Sequence, residues 1–316
     1  MNQSDADDKG APAIRRILIA VDSNPASMQA VNWTRQVADA QSRVLIVSVA
    51  QNLREFMSLG QLAAFDFGAA NDRFLRDANG ALVEASRIFE GGNVPVETQL
   101  LELAARGGDV AHALVETAEI WHADLLVVGA RHHHGLLRWV EGTVSKPVTR
   151  LAGCSILVVP GDPAMKIAHG PQRILFAVDG SSASLQALRS GVQFASADAQ
   201  VRAVYVVDRA VRMSDLAGLD PLAEAFLATG ELALTRAAHI FSSLRCQTET
   251  ALLDTEPRND DVPHAIVRDA ARWGADLIVM GTHGRRGIAR WLLGSIASRV
   301  ASITQTPLLL VRAREQ

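Results

Sequence analysis

Short apolar runs alternate with longer mixed segments along the chain. RILIAVD (16–22), SRVLIVSVA (42–50), VPVETQLL (94–101), ADLLVVGA (123–130) and CSILVVP (154–160) are rich in Val, Ile and Leu. Their nearly continuous apolar character predicts strands buried on both faces, hence a parallel sheet covered by helices. The segments between them are long enough for crossover helices. ASMQAVNWTRQVADA (26–40) and ASLQALRSGVQFASA (183–197) set Val31, Val37, Leu188 and Phe194 at helical intervals among polar residues. Five strands with crossover helices make a doubly wound α/β domain.

The pattern occurs twice. DVAHALVETAEIWHADLLVVGA (109–130) aligns without a gap on DVPHAIVRDAARWGADLIVMGT (261–282), and CSILVV on TPLLLV at the same offset. RRILIAVDSNPAS (15–27) likewise aligns on QRILFAVDGSSAS (172–184). A duplication of this kind, in a chain of 316 residues, predicts two tandem domains. Residues 1–13 are acidic and polar and read as a disordered tail. The first domain takes 14–160 and the second 173–316, joined by GDPAMKIAHGPQ (161–172), a linker with two Gly and two Pro.

Charge and cysteine content narrow the function. A net charge of −3 leaves no electrostatic footprint for nucleic acid or an anionic membrane. The N-terminus lacks the basic start and apolar core of a signal peptide, and no apolar run approaches the ~18 residues of a membrane span. Cys154 and Cys246 stand at non-equivalent places in the two halves. Two such cysteines argue against a disulfide framework and for small core residues in a reducing compartment, so a cytoplasmic protein is expected.

Candidate chemistry lies at strand ends. In doubly wound sheets ligands bind outside the carboxyl ends of the strands, where the strand order reverses. Asp22 and Asp179 end the first strands, and Gly129 and Gly281 end the fourth. In GTHGRRGIARWLLGS (281–295), glycines with φ > 0 could turn backbone N–H groups inward as an anion nest, and their missing Cβ would let a phosphate come close. Ser295 then opens the helical pattern IASRVASIT, whose N-terminal N–H groups and dipole attract the same anion. With the strand-terminal Asp placed to accept from base or ribose, these features describe a mononucleotide site. A turn followed by a helix N-cap would explain Gly281 and Gly294 as well.

At these residues the chain resembles the universal stress protein family in its tandem form. The family's ATP-binding pattern, G-x2-G-x9-G-[S/T], is matched in full by Gly281, Gly284, Gly294 and Ser295, and the resemblance spans nearly all of Arg15 to Arg312. It implies strand order 3-2-1-4-5 and an intramolecular pseudo-dimer of the two domains through their last strands, with a homodimer of the tandem chain beyond that. It implies that Asp179, flanked by Ala177 and Val178, contacts ribose or adenine and that Val206 packs on the base. Gly281, Gly284 and Gly294 would cradle the phosphates of ATP, with Ser295 and Ile296 opening the last helix, and Met280 and Thr282 would belong to the same cofactor-binding set. Mg or Mn often accompanies the triphosphate, although the sequence shows no ligand set for a metal.

The first repeat retains Asp22, Val49, Gly129, Gly142 and Thr143, but His132 stands where Gly284 stands in the second. An imidazole there would project where phosphate should approach. Consecutive His132, His133 and His134 do not converge easily on one ion and read as a solvated loop. His112 and His264 occupy equivalent positions near a helix start and read as packing-edge residues inherited through the duplication. Arg285, Arg286 and Arg290 could reach phosphate oxygens or simply be solvated. No G-x4-GK-[ST] loop, G-x-G-x-x-G after a first strand, SGG-type loop or HxGH pattern occurs. The sequence thus favours an ATP-binding stress-response regulator with unknown protein partners. An interaction module with a vestigial site and a slow ATPase remain the alternatives.

Overall fold

The computed structural model describes residues 13–51, 67–130, 144–161, 169–208, 220–256, 260–284 and 293–312. Residues 1–12 of the expected tail, linker residues 162–168, His132, His133, His134, Gly142, Thr143, Arg285, Arg286 and Arg290 lie outside the described residues. The chain divides into two compact units, Arg15–Gly170 and Pro171–Gln316, and Ile14, expected to open the first domain, groups with the second unit.

In the first unit the elements run β1 (Arg16–Val21), α1 (Pro25–Val37), β2 (Arg43–Ala50), α2 (Phe67–Ile88), β3 (Val96–Glu102), α3 (Leu103–Arg106), α4 (Val110–Ile120), β4 (Leu125–Ala130), α5 (Ser145–Leu151) and β5 (Ser155–Pro160). The strands are parallel in the order β3-β2-β1-β4-β5. The second unit repeats this with β6 (Arg173–Ala177), α6 (Ser182–Gly191), β7 (Gln200–Val207), α7 (Asp220–Phe241), β8 (Gln247–Asp254), α8 (Val262–Trp273), β9 (Leu277–Gly281), α9 (Ser295–Ile303) and β10 (Leu308–Val311). Its order is β8-β7-β6-β9-β10, again parallel.

The central strands form the core, as their apolar runs require. Leu18, Ile19, Ile46, Leu126 and Val127 in the first unit and Ile174, Leu175, Leu277 and Ile278 in the second are fully buried. Strand β3 differs from the expected 94–101. It starts two residues later and is largely exposed, because it ends the sheet and has one neighbouring strand in its unit. Helix α6 stops at Gly191 and passes into a 3-10 turn, Val192–Phe194, short of the expected 197. A Cβ on Gly191 would come within 2.6 Å of the Phe176 ring, so this glycine lets the end of the helix lie close to the sheet.

A matching clip fixes the first and fourth strands of each unit at their amino ends. Asp124, just before β4, accepts from the N–H groups of Arg15 at 2.9 Å and Arg16 at 2.8 Å. Asp276, just before β9, accepts from Gln172 at 2.8 Å and Arg173 at 3.0 Å. Arg16 lies over the Trp121 ring at 4.5 Å and donates to the Trp121 carbonyl, and Arg173 donates to the Trp273 carbonyl. The clip sets the pair of strands between which the order reverses. Cys154 is buried and Cys246 half-buried.

Candidate functional site

Strand pairing brings the expected residues of the second unit to one crevice. Ala177 of β6 is in register with Met280 of β9, so Val178 and Asp179 leave the sheet beside Gly281 and Thr282. Val206 lies near the end of β7, half-buried and in register with Leu253. Gly180, at φ 81°, turns the chain out of the sheet into α6. Asp179 Oδ1 accepts from the Ser181 N–H at 2.9 Å and from its hydroxyl at 2.6 Å. Its other oxygen faces the glycine turn: a Cβ on Gly284 would stand 2.6 Å from Asp179 Oδ2.

The turn is tied to the start of α9. Gly294 donates to the Thr282 carbonyl at 2.8 Å, and its own carbonyl accepts from Ser298. Thr282 is buried, donates through its N–H to the Val311 carbonyl at 3.0 Å, and has its hydroxyl 2.9 Å from His283 Nδ1. No side chain caps α9, which has glycine at the capping position and opens with exposed Ser295 and Ile296. A helix N-terminus carries N–H groups without intrahelical acceptors and a partial positive charge.

Of the two expected uses of these glycines, left-handed backbone and a missing Cβ, the structure shows the second, and toward protein atoms. Gly129, Gly281, Gly284 and Gly294 are not among the residues with positive φ, so no nest is built on left-handed backbone there. What each needs is the absence of a Cβ. One on Gly281 would lie 3.1 Å from the Ala183 carbonyl group, and one on Gly129 only 2.5 Å from the Ala26 carbonyl carbon. These two glycines let the amino end of the helix that follows the first strand, α6 or α1, pack onto the end of the fourth strand. Gly284 alone makes room for a carboxylate.

The first unit arranges its aspartate differently. Asp22 is exposed, and its Oδ1 accepts from the Asn24 N–H at 3.0 Å and the Ser27 hydroxyl at 2.5 Å. Val49 is half-buried in β2, matching Val206.

Ser181 and His283 were not singled out by spacing. Ser181 was legible as a helix N-cap within DGSSAS; His283 carried no signal beyond its place between the motif glycines.

His112 is exposed and His264 half-buried, and each lies in the first turn of its helix against the aspartate that caps it. Asp109 and Asp261 are the N-caps of α4 and α8, accepting from the histidine N–H groups at 3.0 and 2.9 Å, with each Nδ1 2.6 Å from the carboxylate. The His112 N–H holds the Asp109 carboxyl below its ordinary value, helped by the imidazole. Burial works against the Asp261 carboxylate, but the His264 N–H and imidazole, with the charge of Arg299, outweigh it and lower its pKa. Among the described residues no group of three or more His, Cys, Asp or Glu could hold a metal ion, and no helix is long and apolar enough to cross a membrane.

The family profile described as the universal stress protein family matches residues 13–160 and again 171–312. A universal stress protein of Methanocaldococcus jannaschii is 34% identical over 148 residues, covering 45% of this chain and 82% of that protein. One from Mycolicibacterium smegmatis is 26% identical over 305 residues, 94% of this chain and 97% of the relative. Among solved structures, a universal stress protein from Archaeoglobus fulgidus superposes with a TM-score of 0.60 at 15% identity, covering 94% of this chain and 98% of its own. A functionally unknown protein from Pseudomonas aeruginosa superposes with a TM-score of 0.55 at 16% identity, covering 95% and 93%. The likeness in these structures is one of fold, and the two profile matches set the rest: this chain belongs to the universal stress protein family, with two family domains in tandem.

Proposed function

We propose that the second repeat binds ATP and that the chain acts in the cytoplasm as a nucleotide-dependent regulator of protein partners. The observation that carries this is the meeting of Asp179 Oδ2, the bare Cα of Gly284 and the uncapped start of α9 at one strand-order reversal. A carboxylate accepts from ribose hydroxyl or adenine amino groups. A helix N-terminus without a side-chain cap donates to phosphate. Ala177, Val178 and Val206 supply an apolar flank for the base, and Met280, Gly281 and Thr282 fix the turn that leads to Gly284. Gly294, Ser295 and Ile296 would receive the phosphates, with the Ser295 hydroxyl as a further donor. ATP supplies the charge that this helix end attracts, and Mg or Mn would enter with the triphosphate.

The first repeat is proposed to contribute no second site. Asp22 is exposed where Asp179 is half-buried, and His132 replaces the glycine that makes room in the second repeat. Calorimetric titration of the full chain tests both statements. One ATP bound per chain supports them; two bound per chain would contradict the second and none the first.

A further inference from the structure

One hydroxyl in the crevice has two tasks. Ser181 Oγ donates to Asp179 Oδ1 at 2.6 Å and, as the N-cap of α6, accepts from the Ser184 N–H at 3.2 Å. The Ser181 N–H donates to the same carboxylate oxygen at 2.9 Å. With two donors on Oδ1, the carboxylate is fixed in rotation and Oδ2 is presented toward Gly284. The first repeat solves the same turn another way. Asn24 stands at the Ser181 position, and its amide oxygen caps α1 by accepting from the Ala26 N–H at 3.0 Å. The hydroxyl on Asp22 comes instead from Ser27, and Asp22 is exposed where Asp179 is half-buried. In the second repeat the matching Ser184 hydroxyl donates elsewhere, to the Ser181 carbonyl at 3.0 Å. The two repeats therefore steer equivalent aspartates with different hydroxyls.

We propose that Ser181 is a positioning residue for nucleoside recognition: it occupies Asp179 Oδ1, turns Oδ2 into the crevice, and so sets the preference for a nucleotide over a bare polyphosphate. This rests on the nucleotide site proposed above. A carboxylate free to rotate would spend part of its time turned from the ligand and would lose directed acceptance from a hydroxyl or amino group. The phosphates are assigned to the start of α9 and not to Ser181, so polyphosphate binding should be unaffected.

The test titrates the full chain and its Ser181→Ala, Ser181→Asn, Ser181→Thr and Asp179→Ala variants with ATP and with tripolyphosphate, alongside thermal unfolding. Ser181→Asn keeps a capping oxygen and loses the hydroxyl, whereas Ser181→Thr keeps both. The expected result is an ATP affinity lowered about tenfold in the Ala and Asn variants, as for loss of a charge-assisted hydrogen bond. Tripolyphosphate affinity stays unchanged, and Thr restores ATP binding. A purely structural role would lower the melting temperature of the Ala variant and leave ATP selectivity alone. ATP affinity unchanged in the Ala and Asn variants, or an equal loss for both ligands, overturns the role of Ser181. If Asp179→Ala still weakens ATP binding in that case, the nucleotide site itself stands. A wild-type chain that binds no ATP overturns both.

Discussion

Gly284 stands against Asp179 so closely that a Cβ on the glycine would lie 2.6 Å from the carboxylate Oδ2. The two residues are more than a hundred positions apart and meet because β6 and β9 pair in register, Ala177 with Met280. The contact gives the middle glycine of the motif a steric reason that its backbone angles do not.

Gly284→Ala should therefore leave the fold intact and weaken nucleotide binding. The atom in the way is the end of a side chain, which can rotate, but rotation breaks the hydrogen bonds from Ser181 to Oδ1. Unfolding should change by less than about 1 kcal/mol, as for most exposed sites, while ATP affinity falls by about tenfold. Calorimetry and urea unfolding on one preparation check this; a large stability loss with unchanged ATP affinity would reverse the assignment.

Gly129→Ala should behave in the opposite way. Its Cβ would meet backbone atoms of Ala26 and Ser27 at 2.5–2.7 Å, and helix α1 cannot yield without moving from the sheet. Overpacking of this kind costs about 1–3 kcal/mol. Gly281→Ala, facing Ala183 at 3.1 Å, should cost less. Equal urea midpoints for the two variants would count against helix packing as the reason for these glycines.

The capping aspartates give a pH dependence with a defined sign. Asp109 and Asp261 have lowered pKa values in the folded chain. Their stabilisation is complete above the ordinary Asp value of about 3.9 and is lost as pH falls through the lower folded values. Asp109→Ala and Asp261→Ala should each cost about 0.5–2 kcal/mol near neutral pH, as for other N-cap removals. The difference from wild type should shrink at the acid end of that window. Urea titrations at several pH values would show it, and a difference that grows on acidification would contradict it.

The terminal strands SILVVP and LLLV end the strand order of their units and are wholly apolar apart from one serine. Apolar edges drive association. We expect each half, expressed alone, to dimerise through this strand. Sedimentation would detect it; stable monomers of either half would contradict the expected pairing.

The strands, their parallel order and the duplication were legible because burial on both faces leaves long apolar runs, as in RILIAVD and ADLLVVGA. Strand β3 was less so, since an edge strand with exposed positions such as Glu97 and Gln99 carries a weaker signal. The glycine spacing marked the crevice, yet spacing cannot distinguish a glycine needed for φ > 0 from one needed for close approach. That distinction depends on which atom of a distant segment lies opposite: Asp179 for Gly284, the backbone of Ala26 for Gly129. The roles of His112 and His264 were missed for a related reason. The D-x-x-H pattern places each histidine N–H on the capping carboxylate, but the sequence gives no weight to that geometry over packing.

The most direct test of the nucleotide site compares ATP and tripolyphosphate binding in wild type, Gly284→Val, Asp179→Ala and Ser295→Ala, after circular dichroism has confirmed folding. Gly284→Val should abolish ATP binding, because its bulk displaces Asp179 and fills the space between the turn and α9. Asp179→Ala should weaken ATP and spare tripolyphosphate. Ser295→Ala should cost about 1–3 kcal/mol for both ligands, since it removes one charge-assisted hydrogen bond and leaves the helix N–H groups in place. Gly284→Val binding ATP as tightly as wild type would contradict the account and leave the glycines as elements of packing alone.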